Sequence, residues 1–251
     1  MYFNDVHIIY YIVIAILGAI TGKIADWANY RLPDYKKVLS LEFFKEQKKY
    51  KTNYLIILAT IVLYIAVLYR FGIQSGFIAN LELIKYLILI PMLLATFAID
   101  YRLQIIPNRL NLTMFEIGLL IAFIYGWSNI AITINMLLGM LAGGGIFLLI
   151  TLIGGAIYGK EAMGLGDVKL MGALGLFFGL SNIVIISLVS FLVGAILSVF
   201  LLVTKIKKTD EYIPFGPFIV IATIISILVP YNVILNVLME IFSLGLYQNS
   251  N

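Results

Sequence analysis

Two aspartates, Asp100 and Asp167, stand where apolar runs meet polar ones. A carboxylate beside a membrane-spanning run is costly unless it faces a polar interior, so such acids are the first places to look for chemistry. Two carboxylates held close together cannot comfortably both ionise, and one keeps a proton while the other accepts one from water. The ionised member then acts as general base toward a lytic water, and the protonated member hydrogen-bonds the carbonyl oxygen under attack. Such a pair can hydrolyse a peptide bond with neither a metal nor a covalent nucleophile.

Little else in the chain competes for that role. There is no cysteine, which excludes disulfides, a thiolate nucleophile and Cys-ligated zinc. The single histidine, His7, lies at the edge of the first apolar run and reads as an interfacial residue rather than a base or ligand. Among the thirteen acids, Asp5, Asp26, Asp34, Glu42, Glu46, Glu161, Asp210 and Glu211 fall in terminal or loop stretches, and Glu82 begins a span. Glu240 interrupts an apolar tail, and Glu116 lies inside a helix where pairing with Arg109 or Lys169 is the structural alternative to chemistry.

Asp100 closes the run Leu93 to Ile99 and is followed by Ile105-Ile106-Pro107-Asn108. Pro107 forces the preceding residue extended and stops helical continuation, so Asp100 is expected at a helix end beside a constrained turn. Taken alone, the segment also reads as a terminal carboxylate paired with Arg102 or Arg109. Asp167 sits in Met163-Gly164-Leu165-Gly166-Asp167-Val168-Lys169. Gly164 and Gly166 lack Cβ atoms just before the acid, which permits tight bending and close approach of another segment. A helix N-cap aspartate would look similar.

The elements that must position these residues are membrane helices. The chain is 62% hydrophobic and 12% charged, against about 25% charged in soluble domains. Apolar runs at 7–25, 53–71, 81–99, 111–128, 131–157, 168–180, 183–204 and 214–231 predict about eight transmembrane helices joined by short loops. The expected fold is therefore an all-α polytopic membrane protein forming a single domain over 1–251. The first run, with no basic stretch before it, is expected to remain as an anchor, and the tail after Asn232 is either an interfacial helix or a further span.

Lys and Arg are retained on the cytoplasmic side of short loops. A basic loop over 23–53 carries Lys23, Arg31, Lys36, Lys37, Lys45, Lys48, Lys49 and Lys51, and is expected to be cytoplasmic. Counting spans onward, fifteen of the seventeen basic residues then fall on that side, the exceptions being Arg70 and Lys85. Asp100 and Asp167 share one membrane face. Much of the loop's charge also serves simply to attract anionic lipid.

At these residues the chain resembles the type IV prepilin peptidases, which are Gly-x-Gly-Asp aspartic proteases. Ile99-Asp100 with Pro107 looks like the first motif, and Gly164 to Gly172 looks like the second. Gly22, Tyr30-Arg31-Leu32-Pro33 and Ile213-Pro214-Phe215-Gly216-Pro217-Phe218 are further matches in order along the chain. The resemblance implies Asp100 and Asp167 as the catalytic pair, with Gly164, Gly166, Pro107 and Lys169 as supporting positions and no catalytic role for Lys169. Many relatives have another acid after the first-motif proline. Here that position is Asn108, which leaves Asp100 to supply the first carboxylate.

The implied substrates are prepilins or pseudopilins with a basic leader, met within the lipid bilayer of a prokaryotic cytoplasmic membrane, and no nucleic-acid partner is expected. The peptidase helices would span 81–231. No cofactor is implied for peptidase chemistry. Many relatives also N-methylate the new terminus with S-adenosylmethionine, in a first cytoplasmic region that binds zinc through two Cys-x-x-Cys pairs in larger members. This chain lacks those cysteines, so no zinc is expected, and Asp26 stands where the common pattern has Asn. The segment 23–53 is at most a reduced methyltransferase region. From the residues alone, a transporter using intramembrane acids and glycine-broken helices, or a noncatalytic scaffold, remains an alternative.

Overall fold

The computed structural model describes residues 2–4, 6–38, 50–158, 163–204 and 213–243. Among the described residues, a two-residue hairpin ladder, β1 (Tyr2–Phe3) against β2 (Val6–His7), precedes eight helices. They are α1 (Ile8–Arg31), α2 (Tyr54–Phe71), α3 (Phe77–Leu103), α4 (Asn108–Ser128), α5 (Ile130–Tyr158), α6 (Leu165–Val203), α7 (Gly216–Leu228) and α8 (Tyr231–Phe242). The first six are long and apolar enough to cross a membrane, while α7 and α8 are shorter apolar helices.

The predicted spans 168–180 and 183–204 are the two arms of α6, which breaks at Gly179 (φ 71°, ψ 178°). That conformation suits only glycine, and the break frees backbone groups that lipid cannot satisfy. The Asn135 side chain on α5 accepts from the Leu180 amide at 3.2 Å and covers one of them. On the flanking turn Gly139 and Gly175 meet backbone to backbone, so α5 and α6 form the most extensive helix pair.

α3 is the central span, half buried, whereas α1 and α5 mostly face outward. Pro91 inside it has no N–H to give the Leu87 carbonyl. The Tyr64 hydroxyl of α2 donates to that carbonyl instead. Buried Thr60, Thr96, Thr151 and Thr223 each return a hydroxyl to their own helix, four residues back.

α1 continues to Arg31, so the first part of the basic segment 23–53 is helical and residues 39–49 lie outside the described residues. Asp26, read from sequence as a loop acid, is instead buried near the end of α1 and accepts from the Asn53 amide at 3.2 Å. The tail from Tyr231 is the short helix α8, with Ile234 and Leu238 on its buried side.

Candidate active site

Asp100 lies on the last turn of α3. The helix ends because Gln104 turns into the left-handed region (φ 57°), and its amide closes on the Asp100 carbonyl at 2.8 Å. Ile105 and Ile106 then run to Pro107, whose fixed φ of −59° starts α4. On the other side, Gly164 (φ −70°, ψ 141°) caps α6 and accepts from the Asp167 amide at 3.0 Å. Asp167 therefore occupies the first turn of α6, where the helix dipole favours an anion.

These two helix ends meet. Asp100 is 4% and Asp167 5% exposed, and Ile106 lies beside both Gly216, which packs on Asp100, and Gly166, which precedes Asp167. The Gly216 backbone, at the start of α7, lies against the Asp100 carboxylate, and that of Gly164 lies near Asp167 Oδ2. Asp167 Oδ1 is buried without a hydrogen-bond partner. Ile106 fills the space between: a Cβ built on Gly216 would stand 3.2 Å from its Cδ1, and one built on Gly166 would stand 3.2 Å from its Cβ. The same Cβ on Gly216 would lie 3.0 Å from Asp100 Cγ and press on Oδ2. Glycine is thus required where α7 approaches the acid.

Of the supporting positions, Gly164, Gly166 and Pro107 shape the turns around the two acids. Lys169 turns instead to α4, donating to Asn108 Oδ1 at 2.8 Å. Glu116 is exposed on α4, and His7 caps α1 by accepting from the Ile9 amide at 3.4 Å. The Pro-Phe-Gly-Pro stretch, a further match in the sequence, brings Gly216 against Asp100 at the entry to α7. Ile106 and Asn111 carry no sequence signal of their own. Asn111 donates to the Gly166 carbonyl at 3.0 Å and ties α4 to the turn before Asp167.

A second polar cluster lies at the same end of the bundle, between α1, α2 and α3. A cavity of about 350 Å³ is lined by Asp26, Asn29, Tyr30, Tyr50, Asn53 and Arg102. Trp27, Tyr30 and Tyr50 pack ring against ring at 5.1–5.7 Å between centroids. Lys23 lies over Tyr50 at 4.7 Å and donates to Thr52 at 2.7 Å. Both polar atoms of the buried Asn29 amide lack partners. Among the described residues no group of His, Cys, Asp and Glu is arranged to hold a metal ion.

Fold and site together define an all-α polytopic membrane protein with two aspartates buried at neighbouring helix ends on one side of its helix bundle. Residues 87–199 match the profile of the type IV leader peptidase family. Relatives of the chain include proteins named prepilin leader peptidase/N-methyltransferase. That of Xanthomonas campestris pv. campestris is 35% identical over 170 residues, covering 67% of this chain and 55% of the relative. The Pseudomonas aeruginosa protein is 33% identical over 177 residues, 69% of this chain and 57% of the relative. That of Aeromonas hydrophila is 32% identical over 142 residues, 57% and 48%. The chain thus spans about half the length of the curated relatives it matches. No solved structure matches it significantly.

Proposed function

We propose that this protein is a membrane aspartic endopeptidase that removes the basic leader from prepilins or pseudopilins. The observation that carries this reading is the burial of Asp100 and Asp167 together, from two different helix ends, with glycine backbone at each. In this reading one carboxyl keeps its proton while the other is ionised. The ionised oxygen draws a proton from water, and the protonated one donates to the peptide carbonyl as it becomes tetrahedral. The Gly216 backbone packs on the Asp100 carboxylate, while Asp167 Oδ1 has no partner and stays free to face a water or substrate atom.

The position of the acids argues against a transporter. Asp26, Asp100 and Asp167 are buried near helix ends on one side of the bundle, whereas a midplane ion site would place them centrally. The distribution of Lys and Arg supports a cytoplasmic face for that side, in the cytoplasmic membrane of a prokaryote, where a basic leader would meet the pair as its helix leaves the lipid.

The relatives' names favour a second activity, methylation of the new terminal amine, with S-adenosylmethionine supplying the methyl group. The Asp26 cavity fits such a ligand in chemistry. Asp26 offers an anion to an ammonium, Arg102 a cation to a carboxylate, and Asn29 an unpaired donor and acceptor within an aromatic wall.

The test is co-expression of a prepilin with the wild type, Asp100→Asn or Asp167→Asn. Leader removal by the wild type and its loss in both variants is expected, and full processing by either variant would refute the pair. Mass spectrometry of the released N-terminus reads methylation separately, and an unmodified amine in every product would remove that activity.

A further inference from the structure

Between α4, α5 and α6, lined by Lys169 two residues after Asp167, a cavity of about 470 Å³ opens that the proposed catalytic chemistry does not use. Its walls are apolar, with Leu112 and Phe115 from α4 and Met140 from α5. Its floor is glycine, for a Cβ on Gly172 would lie 3.7 Å from the Cα of Gly144. The Asn108–Lys169 hydrogen bond marks its polar edge.

One atom in this wall is out of place for a hydrocarbon groove. Asn111 is 4% exposed; its Nδ2 is committed to the Gly166 carbonyl, and its Oδ1 is buried with no partner. Because the amide is planar, fixing Nδ2 also fixes Oδ1. An orphaned acceptor of this kind is rare in folded proteins and calls for a donor. A lipid tail has none to offer.

A peptide does. A bond in a membrane helix must leave the helix before water can attack it, and the opened turn presents amide N–H groups that have lost their carbonyl partners. We infer that this cavity receives the apolar segment of the substrate that follows the cleavage point, and that Asn111 Oδ1 accepts a backbone N–H from its opened turn. The inference rests on the peptidase reading and adds a substrate channel and a positioning residue to it. The bond from Asn111 to Gly166, the residue before Asp167, sets the register: a peptide held by Asn111 is held relative to the acid.

The experiment uses the full chain in membranes with a co-expressed prepilin. A photo-crosslinking amino acid is placed at Leu112, which lines the cavity and is 55% exposed, and as a control at Ile16, exposed on α1. Crosslinks from Leu112, and none from Ile16, to the prepilin's apolar segment are expected. In parallel, Asn111→Leu is expected to raise KM about tenfold, and to lower kcat as well because it also frees the Gly166 carbonyl before Asp167. Because the crosslink does not involve altering Asn111, it stands even if that variant folds poorly. Crosslinks from Leu112 to lipid alone, in membranes where the wild type cleaves its prepilin, would overturn the channel and leave the peptidase reading intact. An unchanged KM in a well-folded Asn111→Leu protein would overturn the role of Asn111. Absence of cleavage by the wild type would instead overturn the peptidase reading and this inference together.

Discussion

The Gly216 backbone lies against the Asp100 carboxylate, so the start of α7 closes over the end of α3. This contact joins the Pro-Phe-Gly-Pro stretch to the first acid. A side chain at Gly216 would press directly on Asp100 Oδ2, while one at Gly164 would meet Asp167 Oδ2 at an ordinary 3.5 Å.

Gly216→Ala should therefore abolish leader removal, whereas Gly164→Ala retains most of it. Both variants should accumulate in the membrane at wild-type levels. Cleavage assays on matched amounts of protein decide the order, and a Gly216→Ala protein that cleaves as well as Gly164→Ala would contradict the geometry.

The carboxylate pair itself sets a larger effect. Replacing either acid by its amide removes proton transfer, and Asp100→Asn or Asp167→Asn should each lower the cleavage rate by about 10²–10⁴-fold or more. Rates from purified protein in detergent, with melting curves as a check on folding, measure it.

Asn108 provides a sharper test of which residue supplies the first carboxylate. Its side chain is turned toward Lys169 and the α4–α6 cavity, while Asp100 faces Gly216. Asn108→Asp should stay active, and the added acid should not rescue Asp100→Asn in the double variant. Recovery of cleavage there would mean that the position after Pro107 can replace Asp100.

The broken helix α6 carries a stability prediction. Gly179→Ala forces a side chain into the left-handed region and against Asn135, costing about 1–2 kcal/mol from backbone strain alone. Asn135→Ala leaves the Leu180 amide unpaired, for roughly 1–3 kcal/mol. Thermal unfolding in detergent should rank both below wild type, with cleavage at permissive temperature largely kept.

At the opposite end, Arg70 on α2 donates to the Ser226 and Ile227 carbonyls, which end α7. Arg70→Met should cost roughly 1.5–3 kcal/mol, the worth of hydrogen bonds to a charged donor. A melting temperature equal to wild type would show that water replaces it.

Much of this molecule is written along the chain because lipid imposes strict local rules. Apolar length dictated the spans, Pro107 the break between α3 and α4, and the glycines before Asp167 the start of α6. Each is a short-range consequence of residue type. Asp100 and Asp167 stood out because charge is so scarce in these runs. The two arms of α6 were visible as two separate apolar runs, 168–180 and 183–204, though not that they join in one broken helix sealed by Asn135 from another helix.

What the sequence left open depends on partners distant along the chain. Asp26 reads as a loop acid until α1 is seen to extend past it and bury it. Asn111 is an ordinary polar residue until its amide meets Gly166, and Gly216 is one glycine among 21 until α7 packs on Asp100. Hydropathy is a property of each segment, and it sufficed to place the acids at helix ends. Bringing those ends together, and deciding which backbone amides and side chains surround them, is a property of helix packing, which only the tertiary structure decides.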